Sequence, residues 1–555
     1  LKVFFYTLVL VAVLIAAIIF LQSMPQPVRT RGLKTRGPMK VKSEAAELPT
    51  PDANLAEMNR DALFDTGVEL LDLWHLPEAI GVFETVVKID SMHVGAYLEL
   101  VQCYSHPMIS LEKEAARCLE KSFELCRKTG TDTVWASAVG SFYVADAPDQ
   151  TIGTLKRLDK KRADDDDVKL LFAAAYLDKG DLARAEKYLG ELLDRDPSLG
   201  RAKELLIRSR VAKGDFDGAD RIARDLASTY PEEPHPYVLL SEILLLRGKV
   251  DDALEFANSA ISLDPRYIPA IVCGADVHAA SGDLEAARVS YEKLLLFDRP
   301  MLSAIAMEGI AHVEFLAGRF EEASRDMEEA ARLAVSAGSS RHGLVYAFRL
   351  IDYLCELGRT DTAEAVRERW LTRAGDIPAR LGQLRVLIGK GEIPVVRHGL
   401  ELIKDAPAWR QWMTWLGIDY TDVYALSLIQ EEDYAGALSL MEAAGFSGRS
   451  AGRRAYLEGF AHFENGAAER AAVLLAKARA SMRTPEFPYH GDPVLYVQSI
   501  FYSAEAALAR GESAEAQRYY GEFLDLWGES DWELQAVSRA RSKLETLSAV
   551  PAPGG

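Results

Sequence analysis

The chain has 555 residues, about half hydrophobic and a quarter charged, a globular composition with ample material for a core. Its formal charge is −19. Residues 1–43 hold seven cations (Lys2, Arg29, Arg31, Lys34, Arg36, Lys40, Lys42) and no acid, so the rest is more acidic still; that excludes nucleic acid as the main partner, because phosphate contacts need clustered cations.

The first element is "VFFYTLVLVAVLIAAIIFL" (3–21), nineteen residues without a charge. As a helix it spans about 28 Å, close to the hydrocarbon thickness of a bilayer. Its exit, "QSMPQPVRTRG", has no A-x-A cleavage pattern, so the run reads as an uncleaved anchor. The cations after it exceed those before it, which places the large domain in the cytoplasm of an inner-membrane, single-pass protein. Because the chain begins with Leu rather than Met, a periplasmic domain stays open. Residues 22–55, rich in Pro, Gly and basic residues, read as a linker.

From about residue 56 the pattern turns helical and repeats. Gly180, Gly214, Gly248 and Gly282 stand at one fixed spacing of 34 residues, as do Ala185, Ala219, Ala253 and Ala287, and so do Pro197, Pro231 and Pro265. The small Ala lets paired helices approach, Gly ends the first helix in a left-handed conformation, Asp181 caps the second, and Pro stops it. Weaker copies surround Gly67/Ala79/Phe83, Tyr104/Ala115/Leu119, Ala311/Ala323/Met327, Ile351/Ala363, Ala425/Ala437/Met441, Gly459/Ala471/Leu475 and Ala504/Ala516/Tyr520. The clearest repeats cover 166–301. Degenerate ones lie at 131–163 and 377–410, residues 532–547 read as a capping helix, and 548–555 as a disordered tail. This resembles the tetratricopeptide repeat. The resemblance implies an all-α, right-handed solenoid of about thirteen hairpins over 56–547, beside one transmembrane helix.

Nucleotide-loop, serine-hydrolase and zinc-protease motifs are absent, and the repeats leave no block for a catalytic domain, so no enzyme and no cofactor are expected. The scattered cysteines (Cys103, Cys118, Cys126, Cys273, Cys355) form no C-x-x-C pair and read as buried hydrophobes, with a disulfide from Cys103 left open. "DDDD" (164–167) suits a helix N-terminus better than a metal site, lacking EF-hand spacing. Trp409, Trp412 and Trp415 share one helical face, read either as core or as an alternative partner-binding face. "RTPEFPYHGDP" (483–493) reads as a connector or a gripping loop.

In the resembled family the first helix of each hairpin lines the concave surface. The resemblance therefore places Glu204, Arg208, His235, Glu242, Asp276, Glu308 and His312 in a mostly acidic groove suited to a basic or neutral peptide. The chaperone-type Lys/Asn clamp is not implied, since its positions hold Glu204/Arg208, Val238/Glu242 and Val272/Asp276. Two functions follow. The anchor-plus-array layout is similar to bacterial inner-membrane scaffolds of envelope assembly that bind partner proteins. The C-terminal stretch 519–547 is similar to the ends of arrays in bacterial signalling systems, which gives a non-catalytic sensory or regulatory part as the alternative. Oligomeric state is not legible.

Overall fold

The computed structural model describes residues 59–130, 133–158, 165–372, 374–404, 418–444, 451–482 and 491–548, with Trp412 and Leu416. The anchor 3–21, the linker 22–55 and the tail beyond Ser548 lie outside the described residues. Among the described residues there are twenty-seven α-helices, one π-helix and one 3-10 helix, and no strand. No described helix is long and apolar enough to cross a membrane.

The clearest repeats become four hairpins: Asp166–Asp178 with Leu182–Leu193, Gly200–Ala212 with Phe216–Thr229, His235–Leu246 with Val250–Leu263, and Ile268–Ser281 with Leu284–Glu292. Gly180, Gly214, Gly248 and Gly282 turn between the helices with φ of 80°, 75°, 72° and 88°. A side chain there would strain the backbone. Asp181, Asp215 and Asp283 each accept a hydrogen bond from the N–H three residues on, at 3.2, 2.9 and 3.0 Å. Ala185, Ala219, Ala253 and Ala287 are fully buried where the helices touch.

The degenerate repeats differ from one another. At 131–163 the first helix is short (Val134–Val139), runs into a π-helix (Gly140–Val144), and is followed by Pro148–Leu155. Around 377–410, Asp376–Gly389 and Ile393–Ile403 form a full hairpin, hidden in the sequence because its small residue has moved. A Cβ on Gly399 would lie 2.6 Å from Leu384 Cδ2, so a glycine on one helix makes room for a leucine on the other. The capping helix is Gln535–Ser548, packed on Ser513–Trp527 through Val537 and Ala540. No disulfide joins the five cysteines.

The array closes on itself, which the repeat pattern gave no hint of. Near the N-terminus, His75 pairs with Glu233 at 3.0 Å and Trp74 packs against the helices that start at Gly200 and His235. Ser110 and Glu112 reach the start of helix Ser340–Glu356, where the Glu112 carboxylate accepts from the Ser339 hydroxyl at 3.1 Å and the Arg341 N–H at 3.3 Å. From the other end, both oxygens of Asp531 accept 3.0 Å hydrogen bonds from the Phe320 and Glu321 N–H groups. Helix Phe320–Ser336 has Arg319 rather than Asp at its own cap, so a carboxylate from the far end of the array satisfies its free donors. Trp527 Nε1–H donates to the Phe315 carbonyl at 3.0 Å beside it. Both ends of the array therefore rest on its middle hairpins.

Candidate partner-binding surface

The first helices of the hairpins form an inner layer in which several neighbours contact one another, among them Asp166–Asp178 with Gly200–Ala212, His235–Leu246 with Ile268–Ser281, and Ala451–Glu464 with Pro493–Ala509. On it, Glu204 is half-buried and accepts a 2.7 Å hydrogen bond from Trp74 Nε1–H, with His235 Nε2 at 3.5 Å. The Trp74 ring stacks on His235, centroids 4.6 Å apart and planes 23° apart, and His235 Nδ1 shares a 2.9 Å hydrogen bond with the Tyr267 hydroxyl. Burial works to raise the Glu204 carboxyl, but His235, Arg208 and the Trp74 N–H outweigh it and hold it near 2. A Cβ at Gly200 would already lie 2.8 Å from the indole. The chain thus occupies this part of its own inner face. Arg208 stays exposed. Glu242 is half-buried, and its carboxyl is pushed up to about 7, first by burial and then by Asp276 and Glu204, against His235 and Arg208.

The expected acidic wall does not continue as an open surface. Asp276 is 6 % exposed and accepts from the Tyr291 hydroxyl of its own hairpin. Glu308 is 1 % exposed and pairs with Arg349 at 3.2 Å. Both charges serve packing, because a buried carboxylate needs such a partner. His312 is half-buried on Pro300–Leu316. Of the tryptophan face, Trp409 and Trp415 lie outside the described residues, and Trp412 is 5 % exposed within the apolar core that holds Leu400 and Val423. Asp165 caps helix Asp166–Asp178, and among the described residues no His, Cys, Asp and Glu cluster could hold a metal.

Two features of the inner layer were not read from the sequence. Asp352, 5 % exposed, accepts from both Arg385 and Arg453; Arg385 also pairs with Glu356 at 2.6 Å and Arg453 with Asp492 at 3.0 Å. This network ties helices Ser340–Glu356, Asp376–Gly389 and Ala451–Glu464 together. Burial would raise the Asp352 carboxyl, but the Arg453 and Arg385 guanidiniums hold it below its ordinary value. Further along, half-buried Phe460, Phe463 and Tyr502 on first helices meet Tyr434, at the start of the second helix Tyr434–Ala444, in an aromatic cluster. The i, i+4, i+7 spacing of Tyr456, Phe460 and Phe463 was the available signal for it.

Repeating hairpins wound into a coil, with polar and aromatic side chains along the inner layer, define an all-α helical-repeat protein. Residues 170–219 and 204–268 match the tetratricopeptide repeat family. A TPR repeat-containing protein of Methanocaldococcus jannaschii is 28 % identical over 101 residues, 18 % of this chain and 31 % of that protein, so the match spans under a third of the relative's length. Among solved structures, the chain is similar to the APC/C hetero-tetramer Cut9-Hcn1, at 14 % identity, 90 % and 98 % coverage of the two chains, and a TM-score of 0.28. It is also similar to the human IFIT1 dimer with PPP-AAAA, at 14 % identity, 86 % and 96 % coverage, and a TM-score of 0.36. For yeast Tom70 the values are 13 %, 88 % and 96 %, and 0.26.

Proposed function

We propose that the chain is a non-catalytic scaffold that binds partner proteins through the inner layer of its repeats and is held at a bacterial inner membrane by residues 3–21. The observation that supports it most is the inner layer itself: first helices that pack side by side and carry exposed Arg208 and half-exposed Glu242, Phe460 and Tyr502. An uncleaved apolar run with a basic flank supports a role in assembly of the envelope, with the repeats on the cytoplasmic side. Tetratricopeptide repeats generally mediate protein contacts, and the chain's net charge of −19 favours a basic partner.

Site-directed photo-crosslinking in intact cells tests this. A crosslinker at Arg208 or Phe460 in the full chain should trap discrete partner proteins that a crosslinker at outer-layer Glu255 does not. Adducts from Glu255 alone would overturn it.

A further inference from the structure

Helix Ala451–Glu464 ends in an aromatic and acidic corner. The Phe460 ring meets Tyr502 edge-on at 4.8 Å and 73°, and Tyr434 at 6.2 Å and 79°. Phe463 lies 6.0 Å from Tyr502 at 55°. Each edge-on pair covers one ring face and Tyr456 stacks beside Phe460 at 6.4 Å and 12°, but all four side chains are half-buried rather than sealed in core. Exposed Glu464 and Glu432 both act on the Tyr434 hydroxyl, raising it after burial itself. Neither carboxylate has an ion pair among the described residues. Burial, Glu505 and Glu432 raise the Glu464 carboxyl against the pull of Arg539.

The backbone adds an independent sign. Glu432 follows Ala425 by seven residues, as Gly180 follows Ala173, so it stands at the glycine position of the turn. Its φ is 61°. A left-handed non-glycine residue costs about 1–2 kcal/mol that glycine would avoid. The other large side chain at this position is Trp74, also seven residues after its small residue Gly67, with φ 63°, and it makes a specific contact across the coil. Residues held in such backbone strain cluster where the side chain has a role.

We propose that Tyr434, Phe460, Phe463 and Tyr502, with Glu432 and Glu464, recognise a cationic side chain, arginine before lysine, on an extended segment of a partner protein. The assignment rests on the inner-layer reading and names its ligand chemistry. Ring faces attract cations, and two exposed carboxylates without an ion pair beside them favour one over an anion. A neutral occupant would bury those carboxylates without compensation, and an acidic one would be repelled. Arginine fits best because its planar guanidinium stacks on a ring while bonding carboxylate. The chain seats a guanidinium this way one helix along: Arg539 lies 5.7 Å over the Phe501 ring and pairs with buried Glu505.

The test uses the full chain in detergent and a fluorescent peptide of Gly-Ser-Arg repeats, at about physiological salt where loose attraction to the acidic body is screened. The peptide should bind, and its citrulline counterpart should not. Phe460→Leu and Glu464→Gln should each weaken binding about three- to five-fold, the size of one lost cation–ring or charge contact. Glu464 is exposed, so its variant keeps the fold, and Glu255→Gln on the outer layer should change nothing. No binding, or binding indifferent to both site variants, overturns the assignment. Loss with Glu242→Gln but not Phe460→Leu overturns it while leaving the inner-layer reading intact. Binding seen only after Arg29, Arg31, Lys34 and Arg36 are changed to Gln would hand the site to the chain's own basic stretch and overturn the partner.

Discussion

The hairpins around Glu204 and those around Phe460 obey the same register but meet different surroundings. At the N-terminal site the coil folds back, Trp74 stacks on His235 and hydrogen-bonds Glu204, and the inner face is filled by the chain itself. At the C-terminal site Phe460 and Tyr502 pack edge-on, with Glu432 and Glu464 unpaired and exposed. Equivalent positions in a repeat therefore do not have equivalent availability. Which face a partner can reach is decided by contacts between residues more than a hundred apart, not by the repeat.

The largest effect should come from the network that holds the C-terminal half in shape. Asp352→Ala removes the carboxylate shared by Arg385 and Arg453 and leaves two buried guanidiniums leaning on Glu356 and Asp492 alone. Breaking such a pair costs about 3–5 kcal/mol, and chemical denaturation should show a loss near the lower end. Because the folded carboxyl sits below its unfolded value, its stabilisation is present above the ordinary carboxylate range and is lost as pH falls through the folded value. A variant as stable as wild type would mean the two halves do not differ in how they are braced.

Trp74→Ala should open the closed half. The indole is half-buried, so its loss should cost about 2 kcal/mol, below the cost of a fully buried tryptophan. Small-angle scattering should show a longer particle, and amide exchange should rise along Gly200–Ala212 and His235–Leu246. Unchanged scattering and exchange would show that the closure holds without Trp74, and the contrast between the two sites would lose its cause.

How much of this was legible depended on range in sequence. The turn glycines, the buried Ala185 and Ala219 and the Asp181, Asp215 and Asp283 caps are local, and each follows from residues within a few positions. Asp276 and Glu308 looked like groove residues because their register is right, but Tyr291 and Arg349 absorb them. Trp74 and Glu432, the two bulky residues at the glycine position, were visible as exceptions to the pattern. What they touch was not, since Glu204 lies 130 residues from Trp74.

The smallest effect is one of acidity, and it separates the two sites without a ligand. Glu242 sits in the covered half among His235, Asp276, Glu204 and Arg208, and its folded carboxyl lies at about 7, against an ordinary value of 4.5. Between these values the folded state holds a proton that the unfolded state has released. Stability due to this group therefore falls as pH rises from about 4.5 to 7, the reverse of the Asp352 case. Glutamine imitates the protonated form at every pH. Glu242→Gln should match wild type near pH 4.5 and exceed it by about 1 kcal/mol at pH 8, once solvent screening is allowed for. Glu99, also pushed to about 7 by burial, should leave the variant some residual slope. Glu464→Gln should gain much less at pH 8, because an exposed carboxylate can ionise at little cost. Equal gains at pH 8 would mean that the two inner faces are covered alike.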